Sequence, residues 1–599
     1  SSKQDSVSSI LARVPASRVE RIELIRGNTG KYDAGSQSVI VNVILDVAGR
    51  SWNWDAALEQ DLDSGSPTPS ASISLVDQAG PTSWGAGISA SKSFFGNTMN
   101  ERLFVRGQPA EDRDEFERTR RRTVQLNANS STAFGDTTLR LNAEIQYRVG
   151  DFFERSRRTP LTTPEPAFKL NRESDDSELE FEIGGDLEWT FAPGLDAKII
   201  ALHQSEINDD EDRELLIVDP LPANLRRQSL RDTTGRESIA RLELNWSALD
   251  DHLLEFDIET TLNSLDNALV LRVDDGGMLI PVDVPGANNR VEELRGDIQL
   301  RDTWQLGDFS LESALGAEAS RIGQSNDATP DRDFFFAKPS LTLIHAPDAG
   351  QLNRISLKRE IAQLDFGDFV SSADFSDDDI DRGNPDLEPQ QTWAAEISTE
   401  RRFGQMGVAK LTAFHDWITD VQDLLPVGDR FEVPGNIGDG RRWGVEAEGT
   451  IPLMAIGMKQ TRIDLEARWE DSVVTDPVTG EDRRFSGQRR YALEGELRQD
   501  LVDIGWAWGI ESDYVDRSVR FELDELDIDD RGVDVEAFIE TTRYFGVKMQ
   551  LTIQNLLNRE FLRDRLVFDG PRESSPLQFR EVRDLRRGRS VVLSVSGAF

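Results

Sequence analysis

Apolar and polar residues alternate one by one along many segments of this chain, from about Ser51 to its end. Three examples are the segments 139–148 (LRLNAEIQYR), 254–260 (LEFDIET) and 463–469 (IDLEARW). Successive side chains of a strand point to opposite faces, so each segment predicts a strand with one apolar and one charged face. We expect the side chains of Leu254, Phe256 and Ile258 to face an apolar environment, and those of Glu255 and Asp257 to face a hydrated one.

The last ten residues, SVVLSVSGAF, predict a final strand that ends the chain on an aromatic residue without a polar tail. Such a strand needs a pairing partner and an apolar surface to face, and a closed barrel in a membrane supplies both. The ending resembles the terminal strand of bacterial outer-membrane β-barrels, in which a C-terminal Phe is part of the signal read by the assembly machinery. That resemblance implies an assembly signal at Phe599.

The connections between the predicted strands are uneven in length. Some are tight turns, such as the one at 191–194, and others are long and acidic. Short turns at one end and long loops at the other are typical of outer-membrane barrels. About 25 residues per strand and connection gives about 22 strands. The predicted fold is therefore all-β, a large antiparallel transmembrane β-barrel.

Composition narrows the choice of function. The sequence contains no apolar run of 18 residues, so no transmembrane helix is expected. The mean hydropathy of -0.48 does not exclude a membrane barrel, because only one face of each strand is apolar. The absence of cysteine excludes disulfides and thiol chemistry. The formal charge of -41 argues against nucleic acid as a partner, since phosphates would be repelled.

No group of residues indicates catalysis or a resident cofactor. The four histidines, His203, His252, His345 and His415, are scattered, and hydrolase, P-loop and dinucleotide motifs are missing. Three acidic segments, 208–212, 374–381 and 524–530, could bind cations, but none has the spacing of a calcium loop. We interpret them as solvated loops, and we expect neither an enzyme nor a cofactor or metal site.

The N-terminal residues 11–45 predict a different, smaller unit of the α/β class. A helix end at Val14 and Pro15 precedes a strand at 19–25, a glycine-rich loop with Gly27, and a second strand at 39–45. A unit of about 45 residues is too short to bury a core alone. It must pack against another part of the molecule, and the barrel lumen is the available cavity.

These residues resemble the C-terminal half of the plug domain of TonB-dependent receptors. The resemblance rests on the strand RIELIRG at 21–27, the element YDAG at 32–35 and the closing strand VNVI at 41–44. Three later stretches also match the family: RGNPDLEP at 382–389 leading into a strand at 393–397, NIGDG at 436–440 leading to 444–446, and IQNLLNR at 553–559 followed by Phe561. The variant resembles receptors of alphaproteobacterial type. It implies a partial plug at 1–47 and a transmembrane barrel at 48–599.

The resemblance also implies a set of functional residues within the plug. We expect Arg21, Glu23 and Arg26 to hold the plug to the barrel wall, because charged groups at a partly buried interface need partners. Gly27, Tyr32, Asp33 and Gly35 would form the plug loop. The residues that bind the cargo are unknown at this stage.

The implied function is active import across the outer membrane of a Gram-negative bacterium, with cargo such as a ferric siderophore. The expected partners are TonB, through an N-terminal segment absent here, the barrel assembly machinery, and outer-membrane lipid including lipopolysaccharide. We expect a monomer that carries a small-molecule or metal-chelate cargo. Alternatives are uptake of carbohydrate or cobalamin by the same mechanism, a passive porin-like or surface-binding barrel, and a soluble acidic β protein. Only five tyrosines are present, so aromatic girdles would depend on Trp and Phe.

Overall fold

The architecture was analysed in a computed structural model that describes residues 19–26, 39–45, 50–63, 65–325, 331–375, 379–404, 406–428 and 431–599. Its strands, numbered in chain order, are β1 Val19–Arg26, β2 Val39–Leu45, β3 Ser51–Asp61, β4 Pro67–Ala79, β5 Thr82–Val105, β6 Gln108–Phe134, β7 Thr137–Pro160, β8 Phe168–Ala192, β9 Leu195–Ile217, β10 Asn224–Trp246, β11 His252–Asp275, β12 Met278–Val282, β13 Asn288–Leu306, β14 Phe309–Ser325, β15 Arg332–Asp348, β16 Gln351–Ile361, β17 Ser372–Asp374, β18 Asp379–Asp381, β19 Gln391–Phe403, β20 Gly407–Thr419, β21 Gln422–Val427, β22 Phe431–Asn436, β23 Gly440–Pro452, β24 Thr461–Thr475, β25 Asp482–Arg483, β26 Tyr491–Leu501, β27 Trp506–Val515, β28 Ser518–Phe521, β29 Glu525–Asp530, β30 Gly532–Thr541, β31 Lys548–Gln554, β32 Glu560–Phe568, β33 Leu577–Arg586 and β34 Ser590–Ala598. Short 3-10 helices lie at Phe366–Phe369, Leu453–Ile456 and Val502–Ile504.

Twenty-two of these strands form one closed antiparallel barrel, as the sequence predicts. The ring closes where the last strand, β34, pairs with the first barrel strand, β3. The backbone N–H of Phe599 donates to the carbonyl of Trp52 at 2.9 Å, and the N–H of Trp52 donates back at 2.8 Å. The final residue of the chain therefore completes the seam of the barrel.

The two ends of the barrel differ in the length of their connections. At the end that holds the seam residues Trp52 and Phe599, which we name the turn end, several strands are joined by two residues, for example at 80–81, 135–136 and 307–308. Gly80, Gly135 and Gly307 adopt positive φ there, which residues with a side chain rarely do. At the opposite loop end, connections extend to 362–390 and 555–589. The predicted asymmetry of turns and loops is confirmed.

The barrel wall is higher on one side than on the other. Strands β5 to β11 have 23 to 27 residues, whereas a transmembrane strand needs about 9–11. On the opposite side β26, β27 and β30 have only 10 or 11 residues. The short pieces β29, β32 and β33 continue the wall there at the loop end, and β33 joins the upper half of β5. The loop end is therefore closed mainly by connections from the C-terminal half.

The outer face of the wall is apolar over the height of a membrane. On β8, Ile183 is 51% exposed on the outside, while Glu182 beside it is fully buried on the lumen side. The same alternation confirms the outward position of Leu254, Phe256 and Ile258. Glu255 is buried on the lumen face, where its carboxylate lies 3.7 Å from the guanidinium of Arg301.

Exposed aromatic residues lie at both edges of this apolar belt, as amphipathic rings do at membrane interfaces. Near the turn end they are Phe134, Phe191, Trp246, Trp304, Phe309, Phe403, Tyr544, Phe545 and Phe599. Toward the loop end they are Tyr147, Trp393, Trp417, Trp469 and Tyr491. Trp and Phe supply most of the girdles, as the composition predicts. Within the described residues, no helix is long and apolar enough to cross a membrane.

The N-terminal strands β1 and β2 pair with each other in a two-stranded antiparallel sheet. Leu24 lies opposite Val41, and Arg26 lies opposite Val39. This pairing confirms the two strands predicted at 19–25 and 39–45. The predicted helix end at Val14 and Pro15 lies outside the described residues.

The interpretation of two acidic segments as loops is wrong. Residues 208–212 lie inside β9, between β8 and β10, and residues 525–530 form β29. Both segments alternate carboxylates between two faces, and arginines on neighbouring strands partly neutralise them. On β29, the Glu525 carboxylate accepts two hydrogen bonds from Arg565. Segment 374–381 does lie in a loop-end connection, where β17 and β18 pair.

A pair of substitutions tests the two faces of the wall. Ile183→Arg places a charge on the apolar belt, so we expect it to lower barrel stability by about 2–4 kcal/mol. Gln204→Arg places the same charge on the lumen face beside Glu180, which its amide already contacts at 3.2 Å, and should be mild. Urea unfolding in lipid vesicles measures both variants. Equal costs would contradict the assignment of faces.

Candidate functional site

The lumen face of the wall carries rows of carboxylates that lie directly opposite one another. On β8 and β9, Glu180 is paired with Glu206, and Asp176 with Asp210. On the far side, two further rows cross neighbouring strands. They are Glu466, Glu494, Asp513 and Asp534, and Glu496, Glu511 and Glu536. Like charges directly opposite each other destabilise a sheet, so these rows favour a cationic surface inside the barrel.

The connection 362–390 folds against the lumen face and forms a cover over one side of the barrel, which we name the inner loop. Its residues Phe369, Val370 and Leu387 are buried in one apolar cluster with Val291 of β13 and Ile322 of β14. These wall residues lie above the apolar belt, where the lumen face becomes apolar. The inner loop is therefore fixed to the wall by burial of apolar surface.

The motif RGNPDLEP fixes the return of the inner loop. A side chain at Gly383 would collide with the backbone of Phe369, so only glycine fits there. Arg332 of β15 donates to the carbonyl of Leu387 at 3.0 Å and to the carboxylate of Glu388 at 2.7 Å. The Asn384 amide donates to the carbonyl of Pro434 at 2.8 Å, which ties this loop to the next one. The predicted entry into a strand at 393–397 is confirmed by β19.

A cavity of about 470 Å³ lies between the inner loop and the wall formed by β9, β10 and β11. The wall contributes acidic, amide and basic groups, and the loop contributes one aromatic ring. The lining residues on which the argument depends are Glu206, Asn208, Asp210, Arg231, Asn263 and Phe366. The mixture offers hydrogen-bond acceptors and donors around one apolar face, which suits a polar small molecule.

One carboxylate of the inner loop has a raised pKa. Burial and the neighbouring carboxylate of Asp365 raise the pKa of Asp368 to about 6. The charged form is therefore disfavoured where the loop meets the wall. Protonation below pH 6 removes the free-energy cost of burying the charged carboxylate. The docked position of the loop is therefore favoured in mild acid.

The four C-terminal loops are joined by one buried carboxylate, an arrangement that we name the Asp476 clasp. Asp476 accepts from Arg572 and from Arg483, both at 2.8 Å. Arg483 also donates to Asp423 at 3.0 Å, and both guanidinium groups lie over the ring of Phe521, at 4.6 and 5.7 Å. These residues come from the connections 420–439, 476–490, 516–531 and 555–589. The clasp therefore makes the separate loops one unit.

The clasp is stable over a wide range of pH. Burial alone would raise the pKa of Asp476, but hydrogen bonds from Arg572 and from the backbone N–H groups of Val478 and Thr479 lower it overall. A lowered pKa means that the stabilisation is complete above the ordinary value of about 3.9 and is lost as the pH falls through the folded value.

Two other motifs form turns at the loop end of the barrel. In IQNLLNR, Asn555 and Asn558 adopt positive φ, and the Asn555 amide donates to the carbonyl of Gly588 at 2.6 Å. This bond holds the end of β31 against the start of β34. In NIGDG, a side chain at Gly440 would meet Phe485 and Val421. Both motifs therefore serve packing and turn geometry.

The structure describes only some of the residues predicted for the plug. Arg21, Glu23 and Arg26 lie on β1, and Arg21 is exposed. Their role as a lock between plug and barrel stays a prediction. Gly27, Tyr32, Asp33 and Gly35 lie outside the described residues. The side chain of Phe599 is 74% exposed at the turn end, and its role in assembly also stays a prediction.

Sequence reasoning did not find the Asp476 clasp or the cavity. Asp476 and Arg572 are 96 residues apart, and neither belongs to a recognisable motif. The only related signal was the excess of arginine and aspartate in the C-terminal connections. Each histidine contacts a neighbouring side chain, for example His252 with Asp302 at 2.9 Å. No group of three or more His, Asp or Glu residues in the described chain could hold a metal ion.

Removing the central carboxylate tests the clasp. Asp476→Asn leaves the guanidinium groups of Arg483 and Arg572, both 7% exposed, without their shared counter-charge. We expect a local cost of about 3–5 kcal/mol, as for other buried ion pairs that lose one partner. Hydrogen exchange should rise in 476–490 and 555–589 but not in the strands β24, β31 and β34 that flank these connections. Asp529→Asn, which breaks an exposed pair with Arg531, is the control and should change little.

A pH series tests Asp368. Hydrogen exchange of 366–369 should be slower at pH 5 than at pH 7.5 after correction for the intrinsic rate. Asp368→Asn should remove this difference and give the slow rate at both values, because the amide cannot ionise. An unchanged pH dependence in the variant would mean that another group controls the docking of the loop.

Comparison with known proteins agrees with this architecture. The family model described as "TonB dependent receptor-like, beta-barrel" matches residues 28–556. The structure of the ferric citrate transporter FecA is similar with a TM-score of 0.64 at 11% identity, covering 98% of this chain and 85% of that one. The siderophore receptor PirA from Pseudomonas aeruginosa has a TM-score of 0.55 at 13% identity, with 100% and 89% covered.

A third similar structure is the ferric enterobactin receptor PfeA from Pseudomonas aeruginosa, in complex with enterobactin. Its TM-score is 0.58 at 16% identity, covering 98% of this chain and 87% of that one. The comparison with curated proteins finds no match. At these identities the structural neighbours show the fold alone.

Proposed function

The chain belongs to the TonB-dependent receptor family, a barrel family of the outer membrane, and we propose that it imports a ferric siderophore or a similar metal chelate. The long connections at the loop end are then extracellular, and the short turns are periplasmic. Cargo would bind at the extracellular side, and TonB would act on the plug to admit it. All three similar structures described above are named for iron-chelate transport or siderophore recognition, which supports this cargo.

The observation that carries the proposal is the cover of packed loops at the extracellular end. The inner loop is packed on the lumen wall, the Asp476 clasp joins four further loops, and a cavity lies beneath. A passive porin needs an open passage, whereas a receptor needs a surface that holds its cargo. The cover therefore favours binding over free diffusion.

The acidic rows of the lumen support the predicted plug contacts. We propose that residues 1–47 form the C-terminal part of a plug inside the barrel, with the loop of Gly27, Tyr32, Asp33 and Gly35. Arg21 and Arg26 would bring positive charge to the row of Glu496, Glu511 and Glu536, whose carboxylates lie directly opposite one another. Such contacts would hold the plug while the chain is at rest.

A second cargo class, oligosaccharides, is favoured by the composition of the cavity. Asn208, Asn263 and the carboxylate of Asp210 offer paired donors and acceptors, and Phe366 offers an apolar face. Sugar rings present hydroxyl groups at their edges and C–H groups on their faces, which such a lining can match. Cobalamin uptake and a surface-binding role have no comparable feature in their favour.

Uptake by a strain that expresses only this receptor tests the proposal. Radiolabelled ferric siderophores and labelled oligosaccharides should be compared with and without functional TonB. We expect TonB-dependent uptake of one class and a reduction of at least about tenfold on replacing Asn208 and Phe366 together with Ala, since two contacts of about 1 kcal/mol each are lost. The control is Asn224→Ala, whose amide contacts Asp274 outside the cavity.

Uptake that persists without TonB would contradict active transport and favour a passive barrel. TonB-dependent uptake that is unchanged in the Asn208 and Phe366 variant would place the cargo site elsewhere in the receptor.

A further inference from the structure

One edge of strand β5 lacks a strand partner over residues 92–97, a segment that we name the β5 gap. Below this segment β5 pairs with β4, and the last pair is Ser70 with Ser91. Above it β5 pairs with β33, beginning with Thr98 and Arg586. On the other edge, β6 pairs with the whole segment. No strand of the described chain fills the β5 gap.

The backbone groups that face the β5 gap belong to its even-numbered residues. The N–H of Ala133 on β6 donates to the carbonyl of Pro81, next to β5, at 3.2 Å. Hydrogen-bonded pairs alternate along an antiparallel ladder, so the odd-numbered residues of β5 bond to β6. Phe94 and Gly96 therefore direct their N–H and C=O groups into the gap, where no described strand satisfies them.

Two prolines of β4 explain why its pairing with β5 stops. Continuing the register would place Pro69 opposite Lys92 and Pro67 opposite Phe94. Proline has no N–H group, so neither residue can donate a hydrogen bond to β5. The carbonyl of Pro67 instead accepts from the Lys92 ammonium group at 3.2 Å. The β5 gap is therefore encoded in the sequence of β4.

The β5 gap lies above the apolar belt. On β5 the belt includes the exposed outward residues Ala86, Ile88 and Ala90. A transmembrane strand of about 9–11 residues that starts at Thr82 ends near residue 92. Backbone groups without partners would be costly in hydrocarbon, whereas water can satisfy them at this height. The edge is therefore accessible to a ligand that replaces this water.

A cavity of about 100 Å³ lies on the lumen side of the β5 gap. Its lining includes the ring of Phe95, which is 40% exposed, and the carboxylates of Glu59, Asp534 and Glu536. Within the described residues these three carboxylates form no ion pair. The cation among the described lining residues is Arg587, which lies over the Phe95 ring at 5.0 Å. Side chains that enter through the gap therefore meet an excess of negative charge.

We propose that the β5 gap binds an extended peptide of a partner protein, which adds an antiparallel strand to β5 and directs basic side chains into the cavity. An edge with unpaired N–H and C=O groups is a template for an added strand. Alternate side chains of that strand point to one face, so lysine or arginine at every second position would meet Glu59 and Asp534.

The partner would reach the β5 gap from the cell surface, given the orientation proposed above for the loop end. The site uses none of the residues that line the cavity beneath the inner loop. Peptide binding can be measured without transport, so its outcome is independent of the cargo and of TonB.

The experiment uses the whole protein purified in mild detergent and the synthetic peptide TKTKTKT as the probe. Fluorescence anisotropy measures the affinity, and hydrogen exchange follows the amides of Phe94 and Gly96. We expect both amides to exchange fast in the free protein and slowly in the complex, because they then donate to carbonyls of the peptide. Heat-modifiable migration on a gel verifies that each variant is folded.

A proline at position 96 tests the edge itself. Gly96→Pro removes one donor, and the ladder to β6 stays intact because the N–H of Gly96 faces the gap. The variant should bind the peptide at least about fivefold more weakly, the value of one net hydrogen bond. Gly96→Ala keeps the N–H group, is the matched control, and should bind as the wild type does.

Modified peptides test the orientation and the charge of the bound strand. If the lysines point into the cavity, the threonines carry the N–H groups that face β5. N-methylation of the threonines should therefore abolish binding, whereas N-methylation of the lysines should be tolerated. The peptide TETETET should not bind, because its carboxylates would meet those of the cavity.

Several results would each overturn the proposal. They are no binding of TKTKTKT, equal binding of TETETET or of the peptide with N-methylated threonines, and wild-type affinity in Gly96→Pro. Slow exchange of Phe94 and Gly96 before the peptide is added would also overturn it, because another part of the chain would then already cover the edge.

Discussion

The structure depends on one constraint: inside a membrane, every backbone N–H and C=O group must find its partner within the protein. A sheet satisfies this only when it has no edge, so the pairing of β3 with β34 is decisive. That seam extends from Asn53 and Ala598 to Asp61 and Ser590, and Trp52 and Phe599 complete it. Once the ring is closed, each strand must have a lipid face and a lumen face, and the alternation along the sequence follows.

Closure also explains why the lumen can carry so much charge. The lipid face permits almost no polar groups, whereas the lumen face is free of that demand. Rows such as Glu496, Glu511 and Glu536 would weaken an isolated sheet, because they place like charges side by side. A closed barrel tolerates them because its backbone ladder is complete. The charge of the lumen is thus available for contacts with whatever fills it.

The barrel was predictable from the sequence because its signals are local and repeated. Alternation in 139–148 or 254–260 needs only neighbouring residues, and the length of the chain gave the number of strands. The acidic segments were misjudged because charge was taken as a sign of a loop. Residues 208–212 instead extend β9 beyond the membrane, where both faces are polar and no apolar alternation can reveal a strand.

The site was less predictable because its contacts join distant parts of the chain. The motif RGNPDLEP could be recognised, but its reason, the collision at Gly383 and the anchor at Arg332, appears only when the inner loop meets the wall. The Asp476 clasp has no sequence signature at all. A buried carboxylate between two arginines exists only where the folded chain brings distant residues together. Patterns of neighbouring residues in the sequence do not record such contacts.

The unequal height of the wall links these features. Where β5 to β11 continue far above the belt, the wall itself encloses the space at the loop end, and its connections are short. Where β26, β27 and β30 end near the membrane, long loops must supply the missing enclosure. Loops have little intrinsic order, so they need ties of the kind that Asp476 provides to Arg483 and Arg572. The low side is therefore where a receptor can place movable parts, while the high side gives the rigid wall against which the inner loop docks.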